Sequence, residues 1–121
     1  MTALRILVAE DDALIGMLLS EMLTGMGHDV CSVEASEADT VTAAMKYRPD
    51  LMIIDAWLGE GSGIAAVETI LRTRFIPHAF ASGDTLRVKA LRPDAVVIEK
   101  PFSERDLERA IHRALSATAA P

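Results

Sequence analysis

Short apolar runs alternate along this chain with stretches whose apolar residues recur at helical spacing. The runs read as strands are Leu4 to Ala9, His28 to Val33, Leu51 to Asp55, Ile76 to Ala81 and Ala95 to Ile98. Five strands separated by helices predict an α/β fold: a doubly wound, five-stranded parallel sheet with helices on both faces. The first helix is expected over Ala13 to Met26, with Leu14, Met17, Leu18, Met22 and Met26 as its core stripe and Gly25 and Gly27 at its end. Ser36, with Asp39 three residues on, starts a second helix that should bury Ala38, Val41 and Met45 before Pro49 prevents its continuation. The third spans about Ile64 to Arg72 and offers Val67, Ile70 and Leu71 to the sheet. A short fourth covers Thr85 to Leu91. The last is capped by Ser103 and Asp106 and packs through Leu107, Ala110, Ile111, Ala114 and Leu115. The small-residue tail from Ser116 to Pro121 is expected to fray.

Length and charge narrow the picture. The 121 residues suit a single domain over 1–121, and no apolar run approaches the ~20 residues of a membrane span. Met1 leads into strand-like sequence without a secretory signal, so a cytoplasmic location is the default expectation. A net charge of −6 opposes binding to phosphate backbones, so neither nucleic acid nor membrane is an expected partner. The lone Cys31 cannot form an internal disulfide and is expected to pack as a small apolar residue. His28, His78 and His112 show no metal-ligand spacing, and Glu104, Arg105, Glu108, Arg109 and Arg113 are expected on the solvated face of the last helix.

Ligands of doubly wound sheets gather beyond the carboxyl ends of the strands. The first strand exits into Glu10, Asp11 and Asp12, the third into Asp55, the fourth into Ser82 and the fifth into Lys100-Pro101. Clustered carboxylates repel one another unless a cation joins them, so Glu10, Asp11 and Asp55 point to a hard divalent ion, Mg²⁺ or Mn²⁺. Asp12 is assigned instead to the start of the first helix. Asp55 is placed to act as a nucleophile toward a phosphoryl donor, with Lys100 and Ser82 to meet phosphoryl oxygens.

The runs Ile6 to Asp12 and Pro49 to Asp55, followed by Gly63 and then Glu99-Lys100-Pro101-Phe102, resemble the receiver domains of two-component response regulators over essentially the whole chain. The resemblance implies strand order 2-1-3-4-5 and phosphorylation of Asp55 by a histidine kinase or a histidine phosphotransfer protein. It implies Asp11, Asp55 and the Trp57 carbonyl as metal ligands, Glu10 acting through water, and a cis Lys100-Pro101 bond. A downstream protein target, a relay role or a phosphate-sink role would all suit such a domain.

The sequence also departs from that family. Val97 replaces the usual aromatic switch residue, and Phe80-Ala81-Ser82-Gly83 resembles a Phe-Ala-Thr-Gly variant subgroup of often single-domain regulators. The resemblance places Trp57 and Asp84 at the positions that modulate acyl-phosphate hydrolysis, where Trp57 either shields the site from water or only covers part of its own loop. Gly59 stands where proline is usual and should loosen its loop. The stretch from Ser82 to Lys100 is about a turn shorter than usual, so the fourth helix is expected to be the moving part. A haloacid-dehalogenase-like phosphatase would need an acid at position 57, where Trp57 stands. A flavodoxin-like phosphate cradle would be repelled by Glu10, Asp11 and Asp12.

Overall fold

The two central strands, β1 (Arg5–Ala9) and β3 (Leu51–Asp55), are almost wholly apolar because helices cover both of their faces. The computed structural model describes residues 3–117. Beside these strands lie β2 (Asp29–Glu34), β6 (His78–Ser82) and β7 (Val97–Glu99), all parallel, in the order β2-β1-β3-β6-β7. Without the small hairpin of β4 (Trp57–Leu58) and β5 (Gly61–Ser62), this is the expected 2-1-3-4-5 arrangement. The hairpin itself was not anticipated, because a two-residue strand carries too little periodicity to be read.

Side-chain alternation along the strands separates two cores. Ile6, Val8, Leu51 and Ile53 face Leu19 and Leu23 of α1 (Ala13–Gly25) and Leu107, Ala110, Ile111 and Ala114 of α5 (Glu104–Ser116). Leu7, Met52, Ile54 and Phe80 face the other way, toward α2 (Glu37–Tyr47), α3 (Gly63–Leu71) and Val88 of α4 (Thr85–Leu91). Helices thus cover both faces of one sheet.

Two expected helix faces are corrected. On α1 the buried residues are Gly16, Leu19 and Leu23, while Leu14, Met17 and Leu18 are about half exposed or more. Residues 13–19 are apolar on every side, so apolarity alone cannot phase this helix; its close approach to Glu10 and Val33 at Gly16 does. Met22 and Met26 pack only partly against the core. On α2, Thr40, Ala43 and Ala44 are buried, Val41 and Met45 are half-buried, and Ala38 is exposed. Thr40 can lie inside because its hydroxyl donates to the Ser36 carbonyl at 2.7 Å.

Helix ends follow their local chemistry. Asp12 caps α1 by accepting from the Leu14 and Ile15 amides, and Ser103 and Asp106 form a reciprocal capping box on α5. Arg48 ends α2 in the left-handed region, φ 47°, just before Pro49. The bounds of α4 are those expected, and Leu115 of α5 is exposed rather than buried. Cys31 is half-buried where the register between β1 and β2 shifts, its thiol donating to the Ile6 carbonyl. Ser116 closes α5, and the rest of the expected frayed tail, from 118 on, lies outside the described residues.

Candidate functional site

The parallel register brings the ends of β1, β3, β6 and β7 to one edge of the sheet, and the candidate residues meet there. Asp55, the last residue of β3, is 8% exposed, and Glu10, directly after β1, is 4% exposed. One oxygen each from Glu10, Asp11 and Asp55 lie within 4.8 Å of one another. Lys100, directly after β7, bridges two of these acids, its Nζ donating to Glu10 Oε1 at 2.6 Å and to Asp55 Oδ2 at 2.7 Å. These are charge-assisted hydrogen bonds in a partly dry setting, stronger than exposed ion pairs.

The main chain supplies further donors. The Trp57 amide donates to Asp55 Oδ1 at 3.0 Å, so both oxygens of Asp55 are held. Glu10 Oε2 accepts from the Asp12 amide at 3.3 Å, and Asp11 Oδ2 accepts from the Gly59 amide at 2.8 Å. Close packing fixes the backbone beneath Asp55. A Cβ added at Gly63 would fall 1.9 Å from the Asp55 carbonyl oxygen, so the first turn of α3 can sit there only with glycine.

Charge explains what the cup can hold. Three carboxylates against one ammonium leave a formal charge of −2 when all are ionised. Burial, and then the neighbouring Asp55, push the Glu10 pKa up to about 7 against the opposing pull of Lys100 and the Asp12 amide. Burial alone would lower the Lys100 ammonium, yet its hydrogen bonds to Asp55 and Glu10 outweigh this and its pKa is raised. The cup therefore keeps Lys100 charged and still carries excess negative charge. All-oxygen donors around such an excess fit a hard dication such as Mg²⁺ or Mn²⁺.

The remaining candidates fall around this centre. Ser82 ends β6, is buried, and its Oγ accepts from the Asp84 amide at 2.9 Å. Asp84 caps α4 by accepting from the Arg87 amide at 3.1 Å. The Lys100 amide donates to the Ser82 carbonyl at 2.9 Å, and Lys100-Pro101 is cis. Val97 sits half-buried opposite Phe80 and packs against the α2/α3 core. Asp12 stays outside the acid cluster as the α1 cap.

Two contacts escaped sequence reasoning. The Arg87 guanidinium lies 4.2 Å from the centroid of the Trp57 ring, joining α4 to the loop after Asp55. Nothing in a single sequence pairs those two positions. The Gly59 contact had a partial signal, since a glycine-rich stretch after a strand marks a tight turn, but its acceptor 48 positions away could not be read.

The response regulator receiver domain profile matches residues 6–112. The transcriptional regulatory protein PdtaR of Mycobacterium tuberculosis (strain ATCC 25618 / H37Rv) is 34% identical over 116 residues, covering 93% of this chain and 57% of its own length. The phyllosphere-induced regulator PhyR of Methylorubrum extorquens is 35% identical over 117 residues, covering 93% of this chain and 44% of its own. This chain thus spans about half the length of these curated relatives. In structure, the solution NMR structure of the Erythrobacter litoralis PhyR receiver domain matches with a TM-score of 0.87 at 32% identity, covering 99% of this chain and 98% of that one.

Proposed function

The chain belongs to the response regulator receiver domains, and from that premise we propose that Asp55 accepts a phosphoryl group from a phosphohistidine on a kinase or phosphotransfer partner. The observation that carries this reading is the convergence of Glu10, Asp11 and Asp55 within 4.8 Å, with Lys100 2.7 Å from the nucleophile. Asp11, Asp55 and the Trp57 carbonyl would hold Mg²⁺ or Mn²⁺ directly, with Glu10 acting through water. When bound, the dication supplies neutralisation of the phosphoryl oxygens in a loose transition state.

The chain's own residues do the rest. An Asp55 carboxylate oxygen attacks phosphorus as the bond from phosphorus to the partner's imidazole nitrogen breaks, and the electron pair leaves with the ring. The Trp57 amide and Lys100 fix the carboxylate's orientation before the partner arrives. Lys100 then pairs with a phosphoryl oxygen as a point charge. Ser82 Oγ accepts from Asp84, which leaves the hydroxyl's own proton to donate to a second phosphoryl oxygen.

Readout cannot pass through an aromatic at Val97, since that side chain has no ring to swing. The connected route is Ser82 to Asp84 to α4, because Asp84 both donates to the Ser82 hydroxyl and caps the helix. A shift of Ser82 toward a phosphoryl group is felt at that cap, so signalling to a downstream protein proceeds through α4. Intact mass measurement after incubation with a small phosphodonor and Mg²⁺ tests the acceptor. Wild type should gain one phosphoryl group and Asp55→Asn none; equal labelling of the two would move the acceptor elsewhere.

A further inference from the structure

Of the three acids in the cup, two are pinned by Lys100. Glu10 and Asp55 each receive its ammonium at 2.6 and 2.7 Å. Asp11 is exposed, and the side-chain hydrogen bond that holds it comes from the Gly59 amide at 2.8 Å. An exposed carboxylate free to sample rotamers pays ordering entropy each time it takes up a cation. An amide already bound to one oxygen removes much of that cost and leaves the other oxygen to ligate.

The amide is aimed by a turn with a specific requirement. Gly59 joins β4 to β5 with φ +57°, in the left-handed region that disfavours residues with a Cβ. Space does not dictate glycine here, since an added Cβ would meet only Asp11 Oδ2 at 3.9 Å. The requirement is the backbone angle and the N–H, and proline would remove both.

We propose that Gly59 is a positioning residue for cation binding: its left-handed turn presets the Asp11 carboxylate, so that this chain gains metal affinity from a backbone donor in the loop after Asp55. The proposal rests on the metal-cup reading above, and its test separates the two. Mg²⁺ alone is titrated into wild type, Gly59→Pro, Gly59→Ala and Gly59→Asn, with calorimetry as the readout and circular dichroism as the check of folding.

Gly59→Pro should weaken Mg²⁺ affinity about tenfold, the scale seen when a donor to a metal ligand is lost. Gly59→Asn, which keeps the N–H and tolerates positive φ, should bind close to wild type. Gly59→Ala should fall between them, and it carries the test if the proline variant does not fold. No binding signal from wild type would sink the metal cup itself. Binding by wild type together with equal or tighter binding by the folded proline variant, or by the alanine variant in its place, would overturn the role of Gly59 alone.

Discussion

α4 and α5 lean on the same two strands, β6 and β7, yet they are held in opposite ways. α5 runs for thirteen residues, buries Leu107, Ala110, Ile111 and Ala114, and begins with a capping box that satisfies donors in both directions. α4 runs for seven residues, buries Val88, and leaves Leu86 and Leu91 82% and 58% exposed. Its start hangs from the Ser82 hydroxyl through Asp84, and Arg87 reaches across to Trp57. Local opening free energy follows buried apolar contact, so α5 is expected to be the harder of the two helices to open and α4 the easier. Of the two, α4 is the one tied to Ser82 through the Asp84 amide.

That contrast can be broken or sharpened by substitution. The largest effect belongs to α5. Leu107→Ala should cost about 2–5 kcal/mol of global stability, read by denaturant unfolding, because a fully buried side chain leaves a cavity between α5 and the sheet. Val88→Ala should cost less, about 1–3 kcal/mol, and should show first as faster amide exchange in α4 while α5 stays protected. Protection of α4 equal to that of β1 and β3, in wild type with or without a phosphoryl mimic, would abolish the distinction between the helices.

Smaller changes probe the ties between α4 and the site. Arg87→Ala should loosen α4 by about 0.5–1 kcal/mol, the scale of an exposed cation–π contact, and should alter the fluorescence of Trp57, the chain's single tryptophan. The smallest effect should come from β6, which both helices touch. Burial holds the His78 pKa below its ordinary 6.5, against a hydrogen bond to the Ile76 carbonyl that favours the charged form. A depressed folded pKa means that the neutral ring's contribution is complete above pH 6.5 and declines as pH falls from 6.5 toward the lowered value. His78→Leu should flatten that part of a stability-versus-pH curve.

The strands and the strand-end acids were legible because parallel strands announce themselves as apolar runs and their exits fall at fixed places, whereas the strand order followed only from the resemblance to receiver domains. Asp55, Lys100, Glu10 and Asp11 meet for that reason. Helix phasing was less legible where a helix was apolar all round, as in α1, or was packed through small residues and a self-satisfied threonine, as in α2. Those faces are chosen by tertiary fit, which acts on Gly16, Ala43 and Ala44 through size rather than hydrophobicity. The Gly59 to Asp11 and Arg87 to Trp57 contacts join positions with no shared periodicity, so only coordinates could pair them.

The central claim is that carboxylates converging from separate strand ends need a dication before Asp55 can take up a phosphoryl group. Its most direct test is the extent of phosphoryl incorporation by wild-type protein with a small phosphodonor, measured by intact mass in Mg²⁺ and again in excess chelator. Incorporation in Mg²⁺ that vanishes with chelator and returns on adding the ion back is the expected result. Equal incorporation with and without the ion would contradict it.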